Sequence, residues 1–350
     1  MSRVDAPYDM EPLRWKIFRG IKAQGGWAGT SATLCSRVPL MAMYGITSSL
    51  CTLLAVAGIA HAKPGIADQI SLLQKSNASF LQYPTQFTQG IIPKPIHSHN
   101  DYWRDVPLLS ALSFGVASVE ADVWFVDGKL YVGHDEASLT PNRTFESVYL
   151  QPLLEILNDQ NPDNKFTRNQ TRPNGVFDVS PDTPLQLLVD MKTDGKVTLQ
   201  PVLKALQPLR AKGYLSTFAN GTFVQSSILV VGTGNTPLDD VKALEPRDLF
   251  FDGPLTNLND TSTNWEPTLA PLASTDFQAA IGWGGVGTIS DEQLGNLTQF
   301  IADADARGIK SRFWNTPAWP VSGRNAVWRL LRESGAFWLN ADDILAASQF

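Results

Sequence analysis

From Lys94 to the C-terminus, short apolar β-rich runs alternate with longer helical ones, and that alternation restricts the fold more than any single motif. The runs are KPIHSH (94–99), ASVEADVWFV (117–126), PLQLLVDMK (184–192), SSILVVGTG (226–234), RDLFFDG (247–253), FQAAIGWG (277–284), IKSRFWNT (309–316) and AFWLNADD (336–343). Between them lie helical patterns such as VPLLSALSF, with Asp105 as its expected N-cap and Gly115 as its stop, VTLQPVLKALQPLRAKG, DEQLGNLTQFIADADARG and GRNAVWRLLRESG. Alternating β and α units imply a parallel sheet, and eight of them over roughly 250 residues imply a closed (β/α)8 TIM barrel. An open doubly wound sheet is the structural alternative, but no G-x-G-x-x-G follows the first strand to favour a dinucleotide fold. The polar, turn-rich stretch 158–183 reads as an excursion on a barrel loop.

The residues before the barrel have a different character. No Asp, Glu, Lys or Arg occurs from Val38 to Ala62, and the apolar run ends in Ala60-His61-Ala62, the small-x-small pattern of a secretory signal cleavage site. The expected organisation is an N-terminal extension and signal peptide over 1–62, a connector over 63–92 and a barrel over 93–350. A signal anchor is the alternative to cleavage, although Gly, Thr and Ser interrupt a run only marginally long for a span of about 20 residues. Six N-x-S/T sequons, beginning at Asn77, Asn142, Asn169, Asn220, Asn259 and Asn296, are consistent with a secreted glycoprotein.

Removing residues 1–62 takes away six of 28 basic and three of 34 acidic residues, which leaves 22 against 31, a net charge of −9. Such an acidic body lacks the electrostatic footprint of a nucleic-acid binder. Both cysteines, Cys35 and Cys51, fall in the leader, so the body has no disulfide, thiolate ligand or thiol nucleophile.

In a barrel of this kind the reacting groups sit at the C-terminal ends of the strands. Those ends carry His97, His99 and Asn100, then Glu120 and Asp122, Asp190 and Lys192, Asp252, Trp283, Arg312 with Trp314 and Asn315, and finally Asn340 with Asp342. His97 and His99 are two apart and share a face of an extended strand, as do Glu120 and Asp122. Two carboxylates at close range raise one another's pKa unless a cation neutralises them. Flanked by Val119, Val123 and Trp124, the pair suits a hard divalent ion such as Mg²⁺, with Asp190 as a third oxygen ligand. A solvated E-x-D on an outer strand face is the plainer reading.

Asp127-Gly128 between apolar runs signals a two-residue hairpin that brings His134 back beside the carboxylates. Ideal register puts His134 on the face of Ala121, so a bulge or an early end to the ladder is needed to turn it inward. An H-x-H at the end of a first barrel strand also suits zinc, but zinc held largely by imidazole needs later histidines, and none follows His134. His97 and His99 therefore read as acid–base and orienting groups beside a carboxylate-bound ion.

At HSHNDYW, VEADVW, VGHD, LVDMK, RFWNT and WLNADD the chain resembles the phosphatidylinositol-specific phospholipase C-like phosphodiesterase superfamily, which includes glycerophosphodiester phosphodiesterases and sphingomyelinase D enzymes. Within it the closest resemblance is to the fungal altered inheritance of mitochondria protein 6 family, from Pro95 to about Asp343. The resemblance implies a distorted TIM barrel and a metal-dependent phosphoric diester hydrolase or cyclising lyase acting on a glycerophosphodiester- or phospholipid-like substrate. It implies Mg²⁺ or another divalent ion on Glu120, Asp122 and Asp190, His97 and His134 as the acid–base pair, and Lys192 on the substrate phosphate. His99 is orienting or substrate-binding, and Trp314 and Asn340 are further candidates to bind substrate. The expected partner is a small-molecule or lipid phosphodiester, a substrate at a membrane surface being one form of the second.

Two other function classes fit parts of the pattern. A secreted barrel glycoside hydrolase would use paired carboxyl groups roughly 5–9.5 Å apart across a sugar, a separation to which two residues on one strand are poorly suited. A non-catalytic binding barrel would have little use for His97, Glu120, Asp122 and His134 together.

Overall fold

The computed structural model describes residues 65–350. The expected leader and its cleavage site lie outside the described residues. The eight barrel strands are β1 (Lys94–Ser98), β2 (Val116–Val126), β4 (Leu185–Met191), β7 (Ile228–Gly234), β8 (Phe250–Pro254), β9 (Leu272–Asp276), β10 (Lys310–Trp314) and β11 (Leu339–Ala341). Three further strands complete the set: β3 (Lys129–Val132), antiparallel to β2, and β5 (Thr217–Ala219) with β6 (Thr222–Val224), a separate hairpin.

The parallel order β10-β9-β8-β7-β4-β2-β1-β11 is that of a barrel, and a parallel bridge between Arg312 and Trp338 brings its two edges together. Val119, Ala121 and Val123 on β2, and Leu187, Val189 and Met191 on β4, are fully buried on the alternating positions between the inward-facing polar residues. Helices Gly195–Ala205, Asp291–Asp305 and Val321–Glu333 add buried Leu199, Val202, Leu297, Ile301, Val327 and Leu331 to the same core. Among the described residues no helix is long and apolar enough to cross a membrane.

The connector begins as helix Ile66–Ser76, which buries none of its residues, and then docks through Thr88. That hydroxyl is buried, donates to the Val176 carbonyl at 2.6 Å and thereby ties the connector to the 158–183 excursion.

Two expectations need correction. The sixth strand is not FQAAIGWG (277–284) but the preceding LASTD, and Phe277–Ala280 is a helical turn capped by the Asp276 carboxylate, which accepts from the Ala279 N–H at 3.0 Å. Trp283 is therefore in the loop beyond that turn, not at a strand end. Asp105 caps no helix: the segment after β1 is a short 3-10 turn, Asp101–Trp103, and the helix begins only at Leu109. Asp101 organises this region instead, accepting from the Leu108 N–H at 2.7 Å, the Ser98 hydroxyl at 2.8 Å and the Tyr149 hydroxyl at 3.1 Å. These bonds hold Leu108, fully buried, at φ +63°, a conformation unfavourable for a branched side chain.

Candidate functional site

The site is assembled in polar layers along the barrel interior. In the lower layer the His97 Nδ1 lies 2.7 Å from the Ser118 hydroxyl, which also accepts from the Gln186 side-chain amide at 2.8 Å. Above it, one guanidinium joins two strands: Arg312 donates through Nε to Asn340 Oδ1 at 2.9 Å and through Nη2 to Glu120 Oε1 at 3.2 Å. The second Glu120 oxygen accepts from the Asn100 backbone N–H at 2.9 Å. That N–H points inward because Asn100 leaves the strand in the left-handed conformation, φ +50°.

At the top, Asp122 and Asp190 are register partners across β2 and β4. Lys192 Nζ bridges them, 2.7 Å from Asp190 Oδ2 and 3.0 Å from Asp122 Oδ2. The backbone of β7 presses close to Asp190: a Cβ on Gly234, whose φ is +64°, would stand 2.0 Å from Asp190 Oδ1, so only glycine leaves room for the carboxylate.

Burial and neighbouring charge divide the three carboxylates. Burial pushes Glu120 up, but Arg312 with His97 and His99 outweighs it and holds the group well below the usual carboxylate range. Asp122 is raised to about 7 by burial and by the charges of Glu120 and Asp190, against the opposing pull of Lys192 and Tyr102. Asp190 is also raised, chiefly by burial, with Lys192 opposing.

These carboxylates fit a divalent ion. One oxygen from each of Glu120, Asp122 and Asp190 lies within 4.8 Å of the others, while opposed oxygens around Mg²⁺ are about 4.2 Å apart. Asp122 Oδ1 is buried without a hydrogen-bond partner. Three carboxylates against the two cations Arg312 and Lys192 leave one negative charge uncompensated, which adds to burial in opposing the ionisation of Asp122.

The histidines differ sharply. His97 and His99 both present Nε2 to the same Glu120 oxygen at 3.8 Å, so their shared face is as expected. His97, however, has no exposed surface, and burial first, then Arg312, lowers its pKa to about 3. In this setting it is neutral at ordinary pH, and its Nε2 is buried without a hydrogen-bond partner. His99 is 22 % exposed, and its Nδ1 lies 2.9 Å from Asp342 Oδ1. Assigning the Nδ1 proton to that bond leaves the Nε2 lone pair free.

His134 is turned inward by the early end of the hairpin ladder. Pairing runs from Val126 with Lys129 to Val123 with Val132 and then stops. Its Nδ1 is 3.1 Å from the Tyr102 hydroxyl and 3.8 Å from Asp122 Oδ2, and its ring lies 5.0 Å from that of Trp103. The Tyr102 hydroxyl donates to Asp122 Oδ2 at 2.7 Å and can accept from His134, so Tyr102 couples the second histidine to the carboxylates.

The remaining expected residues separate. Lys192 is engaged by two aspartates. Asn340 is 2 % exposed and its Oδ1 is committed to Arg312. Trp314 is partly open at the end of β10. Sequence reasoning did not single out Tyr102, whose signal was the tyrosine two residues beyond the H-x-H-N turn, nor the positioning roles of Arg312 and Asp342.

Comparison with known proteins finds a family and several relatives. Residues 85–252 match a family described as the AIM6-like phosphodiesterase domain. The altered inheritance of mitochondria protein 6 homolog of Arthroderma benhamiae is 40 % identical over 289 residues, covering 80 % of this chain and 90 % of the relative. The Eremothecium gossypii protein of the same name is 34 % identical over 270 residues, covering 73 % and 69 %. A crystal structure of a glycerophosphodiester phosphodiesterase from Parabacteroides distasonis covers 74 % of this chain and 98 % of its own at 10 % identity and a TM-score of 0.42, a distant likeness. By the extent and identity of the match to its fungal relatives, the chain belongs to the altered inheritance of mitochondria protein 6 family.

Proposed function

We propose that the chain is a divalent-cation-dependent phosphodiesterase that works by general acid–base catalysis through His99 and His134. The observation that carries this reading is a pair of imidazoles, each fixed at Nδ1, by Asp342 and by Tyr102, on either side of one carboxylate cluster. Glu120, Asp122 and Asp190 would hold the ion, with Mg²⁺ the choice that suits an all-oxygen donor set. When bound, it supplies charge neutralisation and polarises a non-bridging phosphate oxygen.

His99 takes the proton of the attacking hydroxyl at Nε2, and Asp342 stabilises the resulting imidazolium. His134, held by Tyr102 and lying against Trp103, returns a proton to the leaving oxygen. Arg312 fixes the Glu120 carboxylate in its ionised form, and His97 with Ser118 fills the floor beneath it. Glycoside hydrolysis suits the cluster less well, since carboxylates gathered within 4.8 Å leave no room for a sugar between them.

The test is hydrolysis of bis-(p-nitrophenyl) phosphate with and without EDTA. Activity should vanish in EDTA and return with Mg²⁺. His99→Asn and His134→Asn should each lower kcat by about 10²-fold or more with the melting temperature preserved. Full activity in either variant would exclude that histidine, and full activity in EDTA would exclude the ion. Comparing a substrate that has a neighbouring hydroxyl with its deoxy analogue then separates cyclisation from direct attack by water.

A further inference from the structure

Two neighbouring loops at the C-terminal end of the barrel contain no charged residue. The loop and turn after β9 read FQAAIGWGGVGTIS over 277–290, and the loop after β10 reads NTPAWPVSG over 315–323. Their parent strands are hydrogen-bonded partners, with Trp314 opposite Asp276 at the last register position. The loops also touch each other: a Cβ built on Gly285 would stand 2.0 Å from the Gly323 carbonyl oxygen, and one on Gly323 would stand 2.7 Å from the Gly284 oxygen. Together they make one platform with a backbone–backbone seam.

This platform exposes large apolar side chains. Trp319 is 81 % and Val286 67 % exposed, and Val321 and Trp314 are open beside them. The tryptophans follow a pattern. Eight lie among the described residues, and the three exposed ones, Trp103, Trp314 and Trp319, all end or follow β1 or β10 at this same end. An exposed indole leaves much of its roughly 150–250 Å² in water, a cost accepted where that surface meets something else. His99 and His134 open at the same end of the barrel.

Charge identifies what the platform meets. Tryptophan combines an apolar body with one N–H donor and settles at the headgroup level of a bilayer. Residues 63–350 carry a net charge of −9, which opposes approach to an anionic surface, and 23 consecutive-loop positions without a single cation offer nothing to bind one. A protein partner would call for a preformed pocket with a polar rim. Here Gly282, Gly284, Gly285 and Gly287 leave a smooth backbone with few side chains to shape one.

We propose that the uncharged platform formed by the loops after β9 and β10 inserts into the interface of a zwitterionic lipid bilayer and sets the barrel mouth against it. Taken with the phosphodiesterase reading, on which this clause rests, the substrate is a phosphodiester carried on a lipid and not a free one.

The full chain is mixed with phosphatidylcholine vesicles brominated along the acyl chains, and tryptophan fluorescence is recorded for wild type and Trp319→Phe. The wild type should be quenched, and Trp319→Phe should lose that component, which reports Trp319 itself whatever the leader does. The pair Val286→Ser and Trp319→Ser should reduce partitioning by about tenfold, insensitive to salt, while bis-(p-nitrophenyl) phosphate is turned over as by wild type. An unquenched Trp319 overturns the proposal. So does quenching that requires phosphatidylserine and disappears in salt, or a Trp319→Ser change in sedimentation equilibrium, which would make the platform a contact between copies of the chain. Quenching at Trp319 in a protein that hydrolyses no phosphodiester would leave the docking surface standing and remove the enzymatic reading alone.

Discussion

His97 and His99 reach the same Glu120 oxygen at the same 3.8 Å, and what separates them is the solvent each can reach. Desolvation penalises a charged imidazole, so the sealed His97 ring is held neutral, while His99 keeps a fifth of its side chain open to solvent and a bond to Asp342. Asp252 shows the same force acting on a carboxyl group. It lies half-buried in the middle of β8, accepts from the Thr233 hydroxyl at 2.9 Å through one oxygen, and its other oxygen is buried without a partner. Burial, opposed by Arg312, raises its pKa to about 6, against about 3.9 in the unfolded chain. The folded state thus holds a proton between those values that the unfolded state has released. The stabilising contribution is complete below about pH 4 and is lost as pH rises through about 6. Asp252→Asn, always neutral, should therefore stabilise the protein at pH 8 by up to about 3 kcal/mol and change little near pH 4. Urea unfolding at the two pH values measures the difference, and equal effects at both would mean that Asp252 is not held protonated.

At the scale of elements, the loops after β9 and β10 make a sharper test of packing than any core substitution. Gly285 and Gly287 share a positive φ, +74° and +71°, but a Cβ on Gly287 meets nothing within 4 Å. Gly287→Ala should cost about 1 kcal/mol for the left-handed backbone alone, and Gly285→Ala at least about 2 kcal/mol because the Gly323 backbone must move as well. Equal melting temperatures for the two variants would show that the seam between the loops does not form. Seven of the eight barrel strands were legible because β-branched and apolar residues cluster there between glycine stops. β9 was not, because LASTD is small and polar and the adjoining FQAAIGW is more apolar; only the capping carboxylate of Asp276 marked the true boundary. The E-x-D pair, Asp190 and the Asp127-Gly128 hairpin were legible because register and turn chemistry are local. Tyr102, Asp342 and the sealing of His97 depend on how a loop folds back and which strands close over it, and no local spacing encodes that.

For the molecule as a whole, the sequons test the proposed secretory route. All six asparagines, Asn77, Asn142, Asn169, Asn220, Asn259 and Asn296, are exposed, although nothing in a barrel requires that of each. They are not equivalent. Asn77 caps the first helix in the left-handed conformation, and Asn220 stands at the tip of the β5–β6 hairpin with φ +50°. Asn142 and Asn169 lie in open turns. Asn259 is different: its Nδ2 donates to Asp303 at 2.8 Å and its Oδ1 accepts from Arg307 at 2.7 Å. A sugar on that nitrogen would stand against the Asp303 carboxylate and the helix that bears it. Produced in a secreting fungal host, the protein should begin after Ala62 and carry glycans at Asn77, Asn142, Asn169 and Asn220, with Asn259 the least occupied. N-terminal sequencing and glycopeptide mass spectrometry read both outcomes. An intact leader on an unglycosylated product would remove the secretory proposal, and full occupancy at Asn259 would show that its bonds to Asp303 and Arg307 do not resist modification.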